Sequence, residues 1–276
     1  MPQLEQLKTE IKDEETLFAL ASAFTEVSAA KIGMLKQRFD KNQSFFQEVS
    51  DLYRLVKSSS NSPVTASKGV LAVAITTNNR FYGVINLEVM KKFLSETKDQ
   101  SIARLVVGKI GSSYLQSIGF KEKIEQMVLE RDVPKIADLE KLLETAKSYQ
   151  KVLLFYPQFR TVYTQTPAVT DIGYSAPPLR SSERAKEGAE ELHFIFEPEL
   201  PKIVEFFETQ IRAILLQRVL LEVELSVTAS RLQAMSRAQE HAREVLTKRR
   251  QQLTKKKHSQ INARLLESLG RIKRWN

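Results

Sequence analysis

From Lys202 to Leu269 the chain has neither glycine nor proline. With nothing to interrupt it, that stretch predicts one helix of about 100 Å, at roughly 1.5 Å per residue. A compact chain of 276 residues is only about 50 Å across, so such a helix must project or the fold must be elongated. Its apolar stripe runs through Ile211, Leu215, Val219, Val223 and Val227, then Leu232, Met235, Ala242 and Val245, and again Ile261, Leu265, Leu269 and Ile272. A stripe at that spacing needs a partner helix to keep it from water.

The partner is at the other end of the chain. Between Pro2 and Pro63 the single helix-breaking residue is Gly33, and Leu4, Leu7, Ile11, Leu17, Leu20, Phe24 and Val27 recur at helical spacing, continuing through Leu35, Phe39, Phe46, Val49, Tyr53 and Val56. Joined through a compact middle, the two helices pair most simply antiparallel. The N-terminal one is shorter, so the C-terminal end is expected to outrun it.

The polar tract from Ser58 to Gly69 reads as a linker, and the middle alternates strands with helices. Strands are predicted at Gly69–Thr77, Ile102–Val107, Val152–Tyr156, Arg160–Thr170 and His193–Glu197. Helices are predicted at Asn86–Thr97, Lys109–Ser117 and Pro134–Tyr149, with a loop over Asp171–Gly188. The fold class is therefore α/β: a long antiparallel coiled coil of N- and C-terminal helices with an inserted Rossmann-like α/β domain. By residue number the division is 1–57 shaft helix, 58–69 linker, 70–198 α/β domain and 199–276 shaft helix.

Several function classes lose support at once. The chain has no cysteine, which removes disulfides, thiolate catalysis and thiolate metal sites. His193, His241 and His258 are isolated from one another, so no metal site is expected. No phosphate-cradling glycine pattern occurs, and Thr76–Asn86 has one glycine where a dinucleotide loop needs several. Gly108 and Gly111 read instead as a turn that needs a positive backbone torsion or close packing. Nothing resembles a nucleophile elbow, so neither catalytic residue nor cofactor is expected. No run of about 18 consecutive apolar residues and no signal peptide is seen, which predicts a water-soluble intracellular protein.

The net charge of +9 is concentrated in residues 243–257, where seven basic residues oppose one acid, Glu244. Such a run on a helix is most simply a solvated face; it could also contact an acidic protein or nucleic-acid phosphates. The absence of Phe, Tyr and Trp from Arg243 to Asn262 argues against base stacking.

Five stretches carry a family resemblance. Ile11, Ala23, Val27, Ala29 and Lys31 keep the register of I-x-S-x-x-x-x-x-x-I-T-x-A-M-x-M-V-A-A-x-K, with Phe24 in place of a methionine. The segment TTNNRFYGVIN retains Thr77, Gly83 and Asn86 of S-T-D-R-G-L-C-G-G-L-N. Residues 229–238, ASRLQAMSRA, follow A-A-R-M-x-A-M-x-A-A, and Phe196-Glu197-Pro198-Glu199 follows Y-E-P-D. Farther on, Lys257 to Leu265 keeps little more than the isoleucine and leucine of R-Q-x-x-I-T-x-E-L, with a base, Arg264, in place of the acid.

In order and length the chain resembles the gamma subunit of the F-type ATP synthase. The resemblance implies a non-catalytic rotor: a central stalk of a proton-translocating complex, on the cytoplasmic face of a bacterial plasma membrane, without itself inserting in the membrane. Its implied partners are the alpha and beta subunits of the head, the epsilon subunit and the proteolipid c ring. It places the catalytic-head contact at Phe24, Arg231, Lys257, His258, Asn262 and Arg264, and the membrane-ring foot contact at Phe196, Glu197, Pro198 and Glu199. The alternative is a coiled-coil nucleic-acid-binding protein that uses residues 243–257; the rotor reading expects no nucleic acid.

Overall fold

A computed structural model describes residues 2–58, 68–98, 102–120, 122, 124–131, 136–172 and 200–272. Helix α1 covers Pro2–Ser58 and helix α5 covers Leu200–Ile272, each without a break. Between them lie β1 (Lys68–Ile75), α2 (Ile85–Glu96), β2 (Ala103–Val107), α3 (Lys109–Ser117), β3 (Glu125–Met127), α4 (Ile136–Lys147), β4 (Tyr149–Phe159) and β5 (Gln165–Asp171). The linker expected to reach Gly69 ends earlier, because Lys68 and Gly69 already belong to β1. The strand expected at 193–197 and most of the loop expected at 171–188 lie outside the described residues.

The chain forms two compact units, Met1–Ala29 with Arg231–Asn276, and Ala30–Ser230. This partition cuts both long helices, whereas the expected division followed the ends of secondary structure. Packing explains the difference: α5 residues up to Ser230 are buried with the α/β core.

In the second unit a five-stranded sheet has the order β3-β2-β1-β4-β5. The first four are mutually parallel, and β5 returns antiparallel along β4. The inserted domain is thus Rossmann-like in strand order, with a topological switch beside β1. Alternation along the strands divides the core in two. Leu71, Val73, Ile75, Leu105, Val107, Val152 and Leu154 face Phe46 of α1 and Leu215, Leu216, Val219 and Val223 of α5. Ala72, Ala74, Val106 and Phe155 face Val89, Met90 and Phe93 of α2 and Leu115 of α3, with Phe93 and Phe155 meeting edge to face at 5.3 Å.

Within this unit α1 and α5 run antiparallel. Lys31 meets Glu224 at 2.6 Å, while Phe39 and Phe46, farther along α1, receive the guanidinium of Arg218, nearer the start of α5. In the first unit Glu10 pairs with Arg249, and Phe24 lies under Arg231, again with opposite chain directions. Leu7, Ile11 and Leu246 form its buried seam, with Phe18 and Leu253 against it.

One stretch departs from the expectation that nothing here could span a bilayer. Within Leu4–Val49 an averaged window is long and apolar enough by composition, although 11% of it is buried. Alanines supply much of that average, and no long consecutive run of large apolar residues exists. In the first unit the same helix exposes Leu17, Leu20 and Val27. An apolar face of this kind wants a cover of protein or lipid.

Candidate functional site

The candidate head-contact residues occupy the first unit. Phe24 is half-buried on α1, and the guanidinium of Arg231 stands 5.6 Å from its ring centroid, a cation–π distance. The structure brings into contact two candidates that the resemblance sets in the same region. Lys257, His258, Asn262 and Arg264 are exposed on α5, in a stretch from Thr254 to Leu269 that is exposed on every face. Ile261, Leu265, Leu266 and Leu269 stand among them as uncovered apolar side chains. This end of α5 combines a basic edge with an apolar one, which suits a protein socket better than a phosphate backbone. The four foot-contact candidates, Phe196, Glu197, Pro198 and Glu199, lie outside the described residues.

The basic run has found part of its counter-charge inside the chain. Arg249 approaches Glu10 at 3.3 Å and Arg250 approaches Glu15 at 2.7 Å, both across to α1. Each pair is well exposed, so each contributes little to stability, but together they hold helix register. Lys255, Lys256 and Lys257 remain exposed.

In the second unit, two of the stretches that resemble the gamma pattern meet. Ser230 donates to the Tyr82 carbonyl at 2.7 Å, and a Cβ added at Gly83 would lie 3.0 Å from the Ser230 hydroxyl. Gly83 has φ +60°, which a side chain would strain. Asn86 donates to the Thr77 hydroxyl at 2.9 Å, and Thr77 in turn donates to the Asn79 carbonyl at 2.9 Å. Thr77, Gly83 and Asn86 thus build the turn that receives α5 at Ser230.

The C-terminal end of β1 is tied to the start of α3. At the start of α3 the amide of Lys109 donates to Asn78 Oδ1, that of Ile110 to the Thr77 carbonyl, and that of Gly111 to Thr76 Oγ1. These are the amides that an anion at the start of α3 would need. Gly108 has φ +95°, and a Cβ there would lie 2.4 Å from the Thr76 carbonyl; at Gly111 it would lie 2.5 Å from Val106 Cγ1. Both halves of the turn expectation hold: positive torsion at Gly108, close packing at Gly111.

Several consequential residues had no sequence signal. Arg212 is buried and donates to the carbonyls of Ile172 and Ala146. Glu222 is buried at 5% exposure beside Tyr156. A charged residue inside an apolar stripe could have marked both, but not their partners.

The ATP synthase family model matches residues 3–270. The chain belongs to the ATP synthase gamma family. The ATP synthase gamma chain of Dictyoglomus thermophilum is 25% identical over 99% of this chain and 97% of its own length. That of Flavobacterium johnsoniae is 25% identical, over 98% of each. The rotor of the Euglena gracilis mitochondrial ATP synthase superposes with a TM-score of 0.65 at 15% identity, covering 94% of this chain and 99% of that one. A chain from the central stalk and c ring of the Tetrahymena thermophila mitochondrial ATP synthase gives 0.58 at 21% identity, covering 79% and 99%. Nucleic-acid binding through residues 243–257 finds no support among these matches.

Proposed function

We infer that this gamma-family chain is the central-stalk rotor subunit of a proton-translocating ATP synthase, carrying rotation between the membrane proteolipid ring and the catalytic head. The observation that carries the reading is the uninterrupted α5, seated in the α/β core up to Ser230 and paired with α1 beyond it, in a chain matched by the family model from end to end. Its partners are the alpha and beta subunits of the head, the epsilon subunit and the c ring. The chain works as part of a membrane-associated complex, on the cytoplasmic face of the plasma membrane.

The chain contributes no catalytic site of its own. The turn between β1 and α2 supports this, because it has one glycine where a phosphate-cradling loop needs several. Coupling then comes from shape. An asymmetric shaft that favours a different conformation of each surrounding subunit shifts nucleotide affinities by its differential contacts. Phe24, Arg231, Lys257, His258, Asn262 and Arg264 make the head contact, and Leu17, Leu20 and Val27 give α1 an apolar bearing face toward it. Phe196, Glu197, Pro198 and Glu199 make the foot contact.

The test is recovery of the tagged chain from detergent-solubilised native membranes. Alpha, beta, epsilon and c subunits should co-purify stoichiometrically, with ATP hydrolysis in the complex and none in the isolated chain. Recovery of the chain alone, or with nucleic acid retained until high salt, overturns the reading.

A further inference from the structure

An apolar stripe does not by itself say where one helix should stop against another. Within the α/β unit α1 buries Ile32, Leu35 and Phe46, and Phe39 is half-buried, all at helical spacing. On α5, Leu216, Val219 and Val223 follow the same steps and share a buried cluster with Phe46. Sliding α1 by one turn, about 5 Å, exchanges one apolar contact for another. Apolar burial is non-directional, so it ranks such registers weakly.

Charged side chains break the tie. Phe39 and Phe46 stand two turns apart on α1, and between them the stripe has the polar Asn42 in place of an apolar residue. The guanidinium of Arg218 lies 6.0 Å from the centroid of Phe39 and 5.6 Å from that of Phe46, so it occupies the notch between the rings. Both are cation–π distances. Arg218 in turn comes three residues after Leu215, at a step where an apolar residue would continue the α5 stripe. A polar residue at a single core position fixes register between paired helices, at a cost in stability.

A second charged contact marks the same register. Lys31 meets Glu224 at 2.6 Å. Four residues to either side of Lys31 stand Val27 and Leu35, so a slide of one turn takes the cation from Glu224. The same slide carries Arg218 from between two rings to beside one. Glu222, one turn beyond Arg218 on α5, moves with it and so favours no register.

We propose that Arg218, seated between Phe39 and Phe46, is a positioning residue that fixes the register of α1 against α5 in the α/β unit, with Lys31–Glu224 as a second pin. The pins act within that unit alone; their bearing on coupling rests on the rotor reading. Through them α1 keeps a set position along α5, which places the head-contact residues of the two helices in a constant relation to each other.

The chain has no cysteine, so nitroxide labels can be directed to chosen sites in the full-length protein. One pair uses Lys36→Cys with Gln210→Cys, the other Gln47→Cys with Gln217→Cys, all exposed positions. In the antiparallel pairing Gln210 lies ahead of Lys36 along α1 and Gln217 lies behind Gln47. A slide of α1 therefore shortens one distance and lengthens the other, whereas fraying of α1 lengthens or broadens both. The unmodified background and R218K, which keeps a cation over the rings, should each give one narrow distance per pair. R218L with E224Q keeps the stripe apolar and removes both pins, and should lower the preference for the native register by at least about tenfold. A second distance should then appear in each pair, displaced in opposite senses by up to about 5 Å. Single unchanged distances in R218L/E224Q overturn the proposal, as do shifts of the same sense in both pairs or slippage in R218K. If R218L/E224Q does not fold, F39L with E224Q decides on the same criterion, because it opens the notch while Arg218 remains. Loss of co-purifying subunits from the unmodified chain would refute the rotor reading and leave the label distances standing.

Discussion

Met235→Pro is the sharpest perturbation of the proposed shaft. Met235 is half-buried on α5, within a helix that runs from Leu200 to Ile272. Proline removes the amide that bonds to the carbonyl four residues back, and its ring drives that carbonyl aside. The carbonyl is that of Arg231, whose guanidinium lies over Phe24, so the kink lands on a contact between two head-contact candidates. The cost is about 3 kcal/mol or more, roughly a hundredfold in the local helix equilibrium. Replacing Lys255, Lys256 and Lys257 by Gln instead changes exposed side chains, each worth at most about 0.5 kcal/mol. In reconstituted complexes, ATP-driven proton pumping should be abolished by M235P and largely retained by the triple Gln variant. Normal pumping by M235P would mean that α5 bears no torque at that position. Failure of the triple variant alone would move the coupling contact onto the basic run.

Three further outcomes follow from the packing. Gly108→Ala combines a φ of +95° with a Cβ 2.4 Å from the Thr76 carbonyl, so it should cost about 3 kcal/mol or more by denaturant unfolding; a change within error would remove the strain argument. Leu216→Ala empties a fully buried site between α5 and the sheet, and a loss of about 2–5 kcal/mol is expected in the same assay. A double-mutant cycle of Phe24→Leu and Arg231→Gln should give a coupling of about 0.5–1 kcal/mol, and additivity would show that the ring and guanidinium do not interact.

How much of this was legible depended on the length of the signal. The two long helices announce themselves through missing Gly and Pro, and α3 covers Lys109–Ser117 as expected. The strand β3, Glu125–Met127, was missed because three residues carry no periodicity; it exists because β2 offers it an edge. The strand expected from Arg160 begins instead at Gln165. Residues 160–164 form a turn in which the Thr161 hydroxyl accepts from the amides of Tyr163 and Thr164, side-chain chemistry that imitates a backbone turn. β4 is longer than expected, because Pro157 sits opposite Pro167 and still fits the hairpin. The head-contact residues were nameable through resemblance, yet only the antiparallel pairing brings Phe24 under Arg231. Glu222 interrupts the apolar stripe of α5, which marks it as unusual without giving its neighbours.

The burial of α5 explains how an α/β domain can serve a shaft. From Leu225 to Ser230 every residue is buried, polar ones included. An ordinary surface helix buries one stripe; a helix enclosed on all sides has no face along which it can slip. Val227 belongs to the same buried cluster as Leu71, Val73 and Ile75 of the sheet, and Ser230 is hydrogen-bonded to the turn at Tyr82. Rotation of α5 within this grip would break the bond from Ser230 to the Tyr82 carbonyl, a cost of about 1–3 kcal/mol for an unsatisfied buried group. Whatever turns the α/β domain must therefore turn α5 with it.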